Sequence, residues 1–448
     1  MKQILERLHA RMGDFWWYSL MLFCACRAAD CLNVFVGLWL VPKYIGQSEL
    51  GAVTPLANFA NFLALPAAAF ANTFRNELTR LSVSREFGRL RTLMRGVFVA
   101  TAVFLLAAIV VSRFLLPVFL ERIRIVEGSL GLVIIAASFV SAVAPVYTNA
   151  LQTLKKFREQ SLINVVGAPV RLIAMLVAMP FRALSGYFVG QTASPAFSIA
   201  ASVFSLRREL SVPPAPYWTR AVARRFATLF ALFTVSGIGS GFCGLVEAMV
   251  LRQRLPDIDS AGHYMASRFA EIATFMYAAL SYTIFPFAAE LAKNGKSRMR
   301  LILKSSGANI AFCAALAVFF ALLGKPILSI LPGGDQYAAY WWAIPWLIAI
   351  SAITSLYWLY SSAEIAAEHF GFMKWALPLE FAYPAALLLV TGHGYFDGIV
   401  PASWTQFLNA HNVKSLDTML WWMTASATVR AVFTIVAMSC EKRRGCRP

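Results

Sequence analysis

The sequence predicts an all-α, polytopic membrane protein with about twelve transmembrane helices in two six-helix bundles. Three observations carry this expectation. Of 448 residues, 59% are hydrophobic and only 14% charged, against about 25% charged in an ordinary soluble domain. Apolar runs of about 20 residues, the length that crosses a bilayer, recur from end to end. Lys and Arg gather at alternate ends of successive runs. A soluble enzyme, a disordered chain and a secreted disulfide scaffold are all excluded. The net charge of +18 lies in short loops between apolar runs, where it fixes orientation, so nucleic acid is not an expected partner.

In chain order, residues 1–14 form an amphipathic segment with Ile4, Leu5, Leu8 and Met12 on one side. The first apolar run, from about 15 to 41, is too long for the core of a signal peptide. The predicted spans are 16–41, 50–73, 94–116, 128–152, 162–181, 184–206, 226–250, 263–288, 302–323, 341–363, 371–391 and 418–438. An N-terminal bundle then covers 15–206 and a C-terminal bundle 226–438. Between them lies a basic cytoplasmic linker, 207–225, with Pro213, Pro214 and Pro216, and a basic tail follows at 439–448. The polar stretch 392–417, with Gly392, Gly394, Gly398 and Pro401, is the other long connection.

With charges within about four residues of a span end counted to the adjoining loop, these spans place 27 of the 40 Lys and Arg on one side and 9 on the other, leaving Arg27, Arg171, Arg268 and Arg430 deeper inside spans. The richer side is the cytoplasmic one, so both termini are expected there, in a multi-pass protein of the plasma (bacterial inner) membrane. A missed span would scramble the alternation.

The halves also resemble each other. Arg89-x-Arg91-x-x-x-Arg95 precedes the third span and Arg298-x-Arg300-x-x-x-Lys304 the ninth, an offset of 209 that also carries Pro117 onto Pro326. Leu50-Gly51 and Ala261-Gly262, at the second and eighth spans, are 211 apart. Two related six-helix halves are a transporter pattern, with the substrate site between the repeats.

Catalytic and metal signatures are missing. Gly295-Lys296-Ser297 ends like a phosphate-binding loop, but Glu290 stands where that motif needs glycine. Seven cysteines (Cys24, Cys26, Cys31, Cys243, Cys313, Cys440 and Cys446) form no CxxC pair and read as small buried hydrophobes. The histidines His9, His263, His369, His393 and His411 sit near span ends and read as interfacial groups. No cofactor or metal is expected.

Polar residues inside spans are the functional candidates, because a charge costs about 2.5–3.5 kcal/mol at a helix centre on insertion scales. Arg27 and Asp30 share a face of the first span, with Asn33 a turn further; Arg268 and Glu271 repeat that spacing in the eighth. Arg171 and Arg430 lie mid-span in the fifth and twelfth, and Asn58 and Asn61 share a face of the second. Glu247 and Glu380 occupy the seventh and eleventh. The two acid–base pairs either merely pack the bundles or meet a charged ligand. Four intramembrane arginines suit an anion, since guanidinium stays charged and donates two parallel hydrogen bonds to a pyrophosphate. Pro55, Pro66, Pro145, Pro169, Pro378 and Pro384 are expected to bend their spans.

Local motifs then resemble a known family. Val41-Pro42-Lys43-Tyr44-Ile45-Gly46-Gln47-Ser48-Glu49-Leu50-Gly51, and Phe74-Arg75 before a basic loop, are similar to the opening of polysaccharide-export flippases. Asp259-Ser260-Ala261-Gly262-His263-Tyr264, leading to Phe285-Pro286 and Ala289-Glu290-Leu291, resembles that family's eighth helix. The likeness extends over most of residues 10–390 and places the chain beside the multidrug/oligosaccharidyl-lipid/polysaccharide exporter superfamily. It implies a V-shaped pair of six-helix bundles that flips a polyprenyl-pyrophosphate-linked oligosaccharide to the outer leaflet. Membrane lipids and polysaccharide polymerase or export proteins are the implied partners. Arg27 and Arg268 occupy places comparable to arginines of the related lipid II flippases, which carry two further helices. Two alternatives stay open. An ion-coupled multidrug exporter would use Na⁺ or H⁺ and Asp30, Glu247 or Glu271; a membrane glycosyltransferase would draw on Asp397 and Asp417.

Overall fold

The computed structural model describes residues 31–83, 86–125, 130–154, 156–294, 296–367, 369–391 and 412–444. The segment 1–14, Arg27, Asp30, residues 392–411 of the polar stretch and the end of the tail lie outside the described residues.

Every regular element among the described residues is helical. Within lipid no water bonds the backbone, so a spanning segment must satisfy its own N–H and C=O groups, and helices do so internally. The helices are α1 (Cys31–Tyr44), α2 (Gln47–Val83), α3 (Phe87–Arg122), α4 (Leu130–Thr153), α5 (Phe157–Ala178), α6 (Ala183–Ser205) and α7 (Arg220–Arg254). There follow α8 (Asp257–Ala270), α9 (Ala273–Lys293), α10 (Met299–Ser329), α11 (Ala343–Ala366), α12 (Met373–Thr391) and α13 (Leu416–Arg444). Among the described residues, nine helices are long and apolar enough to cross a membrane. The twelve predicted spans map onto these helices in order, with α1 as the end of the first and α8 plus α9 as the eighth.

The prolines expected to bend spans all lie inside helices rather than ending them, two each in α2 and α12 and one each in α4 and α5. On α3, Val99, Val103, Leu106, Val110 and Phe114 point outward, the apolar surface that lipid requires. Small residues set the tightest packing. A Cβ on Gly190 of α6 would stand 2.1 Å from the Met175 side chain of α5, so only glycine allows that approach.

Contacts divide the chain into two compact units, Tyr44–Gln253 and Arg254–Pro448 together with the chain up to Lys43. The sequence places the change of bundle at 207–225; here α7 groups with α2–α6, and α1 with α8–α13. The reason in the 44–253 unit is that the linker is packed down. Ala215 N donates to Gly88 O (3.1 Å), Thr92 Oγ1 to Ala215 O (2.8 Å) and Arg91 Nη1 to Val212 O (2.8 Å). The linker's Tyr217 then joins Phe70, Phe74, Leu78, Leu90, Leu93 and Phe226 in a buried core. Further along, α7 lies against α2: Asn58 Nδ2 donates to Gly244 O (2.8 Å), and a Cβ on Gly241 would meet Leu65 at 2.6 Å. In the other unit, α1 is held by α8 through Gly37.

Candidate functional site

The clearest constellation of predicted residues lies where α1 meets α8. The middle of α1, Val36–Leu40, winds as a wider π-type turn, a departure frequent at functional positions. Gly37 sits in that turn, one helical turn beyond Asn33. The Tyr264 hydroxyl donates to the Gly37 carbonyl at 3.4 Å. The Arg268 guanidinium lies 5.0 Å from the centre of the Tyr264 ring, within cation–π range. Its Nη2 bonds Glu271 Oε1 at 2.8 Å, so the two residues three apart do pair. Both side chains keep contact with the outside, at 20% and 39% exposure.

The eighth span is interrupted at this pair. It breaks at Glu271 and Ile272 with no proline or glycine present. Ile272 N bonds Phe269 O, Thr274 N bonds Glu271 O and Phe275 N bonds Ile272 O, tighter three-residue steps in place of four-residue ones. Thr274 Oγ1 also donates to the Glu271 carbonyl at 2.7 Å. The carboxylate that holds Arg268 therefore stands on a joint. His263, read from the sequence as an interfacial group, is buried within α8 instead, because the outer part of that helix is covered on most sides.

A second charged cluster in the same unit involves Arg430. It is buried on α13, close enough to Tyr357 of α11 to act on it electrostatically. Tyr357 donates its hydroxyl to Glu380 Oε1 of α12 at 2.6 Å, and Glu380 is fully buried. The sequence marked Glu380 only as an intramembrane charge; spacing could not reveal a partner on another helix.

The remaining candidates belong to the 44–253 unit. Asn58 is committed to the Gly244 carbonyl, whereas Asn61, expected on the same face, is exposed. Arg171 is half-buried on α5. Arg27 and Asp30 are outside the described residues. Arg268 and Glu271 are thus joined, while Arg430, Asn58 and Arg171 each stand in other surroundings.

Two buried carboxylates at helix ends escaped the sequence reading. Glu364 accepts two bonds of 2.7 Å from Arg298 Nε and Nη2, and Arg298 Nη2 also meets His369 Nδ1 at 2.8 Å. Glu77 accepts from the Tyr217 hydroxyl at 2.6 Å and pairs with Arg225 at 3.3 Å. Among the described residues no cluster of His, Cys, Asp or Glu is placed to hold a metal ion.

No family model matches the sequence, and a search among curated proteins finds no match. Solved structures do match across nearly the whole length. A Vibrio cholerae MATE transporter, VcmN, in variant form superposes with a TM-score of 0.70 at 12% identity, over 96% of each chain. A MOP superfamily transporter from Pyrococcus furiosus gives 0.69 at 11% identity, over 98% of each chain. An outward-facing multidrug resistance MATE transporter gives 0.67 at 11% identity, again over 98% of each. At such identities it is the fold that is shared, and this chain has the fold of the MATE transporters of the MOP superfamily.

Proposed function

We propose that this chain is a membrane transporter that flips a polyprenyl-pyrophosphate-linked oligosaccharide from the cytoplasmic to the outer leaflet, for cell-surface polysaccharide assembly. The observation that carries the reading is Arg268, a guanidinium in the predicted eighth span, aligned by Tyr264 and Gly37 and paired with a carboxylate at a helix break. A pyrophosphate offers the same bidentate acceptor as a carboxylate with more charge, so it competes for the guanidinium. The fold supports a transporter, and four intramembrane arginines support an anionic cargo. One structural neighbour is described by a binding pocket of reverse polarity that suggests a different function, so the polarity of the pocket is not fixed by this fold. Membrane lipids, a polysaccharide polymerase and a Na⁺ or H⁺ gradient are the proposed partners and driving force.

A second reading, an ion-coupled multidrug exporter, is favoured by the multidrug transporters among the structural neighbours, with Glu271 or Glu247 as the coupling carboxylate. Reconstituted vesicles decide between them. Translocation of a lipid-pyrophosphate oligosaccharide, lost in Arg268→Ala, is the expected result. Gradient-driven efflux of a cationic dye without lipid flipping would establish the second.

A further inference from the structure

The linker 207–225 contains five arginines and a single acidic residue, Glu209. Its internal contacts sort those charges. Glu209 is taken up by Lys156, 2.8 Å away, whose ammonium also donates to Ser205 O at 2.9 Å. Arg225 turns inward to Glu77. What stays outward is cationic only: Arg207, Arg208, Arg220 and Arg224 are exposed, and among the described residues none of the four faces a carboxylate.

The surface is also fixed. The linker is laid along the first turns of α3, where a Cβ on Gly88 would stand 2.8 Å from Pro213 O and one on Gly96 3.2 Å from the Trp218 ring. Large apolar side chains are interleaved with the arginines. Trp218 is 46% exposed and Phe204 65%, and the Arg207 guanidinium lies 4.4 Å above the Phe204 ring. A face that meets only water or an acidic protein has little use for exposed Trp and Phe among its charges. A bilayer interface suits both, with rings at headgroup depth and guanidinium groups on phosphates.

We infer that the packed linker is a docking platform for the headgroups of anionic phospholipids in the leaflet at that end of α3 and α7. The pinned backbone pre-organises the four arginines, so lipid binding orders little that is not already ordered. The platform is independent of the cargo and stands whether or not the transport reading holds.

The test uses the full-length protein in phosphatidylcholine bilayers carrying trace spin-labelled phosphatidylglycerol or phosphatidylcholine. The fraction of label immobilised at the protein reports preference. Each interfacial arginine supplies about 1 kcal/mol, so a preference of about fivefold or more for phosphatidylglycerol is expected at low salt. The combined variant Arg207→Gln, Arg208→Gln, Arg220→Gln and Arg224→Gln should fall to near parity with unchanged thermal stability. A control with Gln at Lys296, Arg300, Lys304 and Lys374 should keep most of the preference. Equal association of the two lipids with the wild type, survival of the preference in the linker variant, or equal loss in the control would overturn the inference. No preference for phosphatidylglycerol, together with tight binding of soluble polyglutamate that the linker variant loses, would overturn it in favour of an acidic protein partner.

Discussion

The Cδ of Arg268 lies 2.9 Å from the point where a Cβ on Gly37 would stand. The missing side chain in α1 is therefore what lets the stem of this arginine rest on a neighbouring helix. The two positions should be energetically coupled. Gly37→Val is expected to destabilise by about 1–3 kcal/mol through overpacking. In an Arg268→Ala background, which removes the obstructing Cδ, the same change should cost markedly less. Thermal unfolding of the four proteins in detergent closes the cycle, and additive effects would disprove the contact.

Arg298 and Glu364 form a bidentate pair with both side chains largely withdrawn from solvent. Removing one partner strands the other, so Arg298→Ala should cost about 3–5 kcal/mol. Arg298→Lys keeps the charge but loses the parallel bonds and the contact with His369, and should fall between. The combined Arg298→Met and Glu364→Leu variant should recover much of the loss. A combined variant as unstable as the Arg298→Ala protein would show that the pair does not act as a unit.

Tyr340, between α10 and α11, donates its hydroxyl to Asp259, and its ring covers Gly262. Burial, then the hydrogen bond to and charge of Asp259, raises its ionisation above the usual phenol range. A raised folded value means that this contribution is complete below pH of about 10 and is lost as pH climbs through the folded value. Tyr340→Phe should lower stability near neutrality by about 0.5–1.5 kcal/mol and flatten the alkaline decline. Identical alkaline slopes for the two proteins would show that ionisation of Tyr340 does not drive the decline.

The first-span pair Arg27 and Asp30 is a prediction from the sequence. In the vesicle assay, Arg27→Ala should abolish flipping and Arg27→Lys impair it, with both proteins reaching the membrane. Full transport by Arg27→Ala combined with Asp30→Ala would reduce the pair to packing.

Reporter fusions test the orientation. Fusions after Lys43, Arg254 and Lys414 should report outside, and those after Arg91, Arg220 and Lys296 inside. An inside signal at Lys414 would remove the last span as drawn.

What was legible in the sequence is what repeats locally. Apolar runs located the helices, the i, i+3 spacing of Arg268 and Glu271 announced their bond, and the 209-residue offset matched α3 to α10, each with its proline near the C-terminal end. What joins distant segments was not. Tyr217 reaches Glu77 across 140 residues and Arg298 reaches Glu364 across 66, and neither residue's neighbours hint at the partner. The break after α8 carries no Pro or Gly and is defined only by its hydrogen bonds. The grouping of α7 with α2 rests on side-chain fit along two helices, as at Leu65 and Gly241, to which a hydropathy pattern is blind.

Because α1 belongs with α8, one unit is interrupted in sequence while the other is a single stretch. The order of synthesis follows. Gly37 leaves the ribosome 227 residues before Tyr264, the residue that bonds it. At about 5–20 residues per second, that is roughly 11–45 s of translation. The 44–253 unit can finish packing within that interval, while α1 waits in the bilayer for its partner. A nascent chain stalled before residue 254 should therefore expose α1 to crosslinking by the insertion machinery or lipid, and release it once α8 has entered.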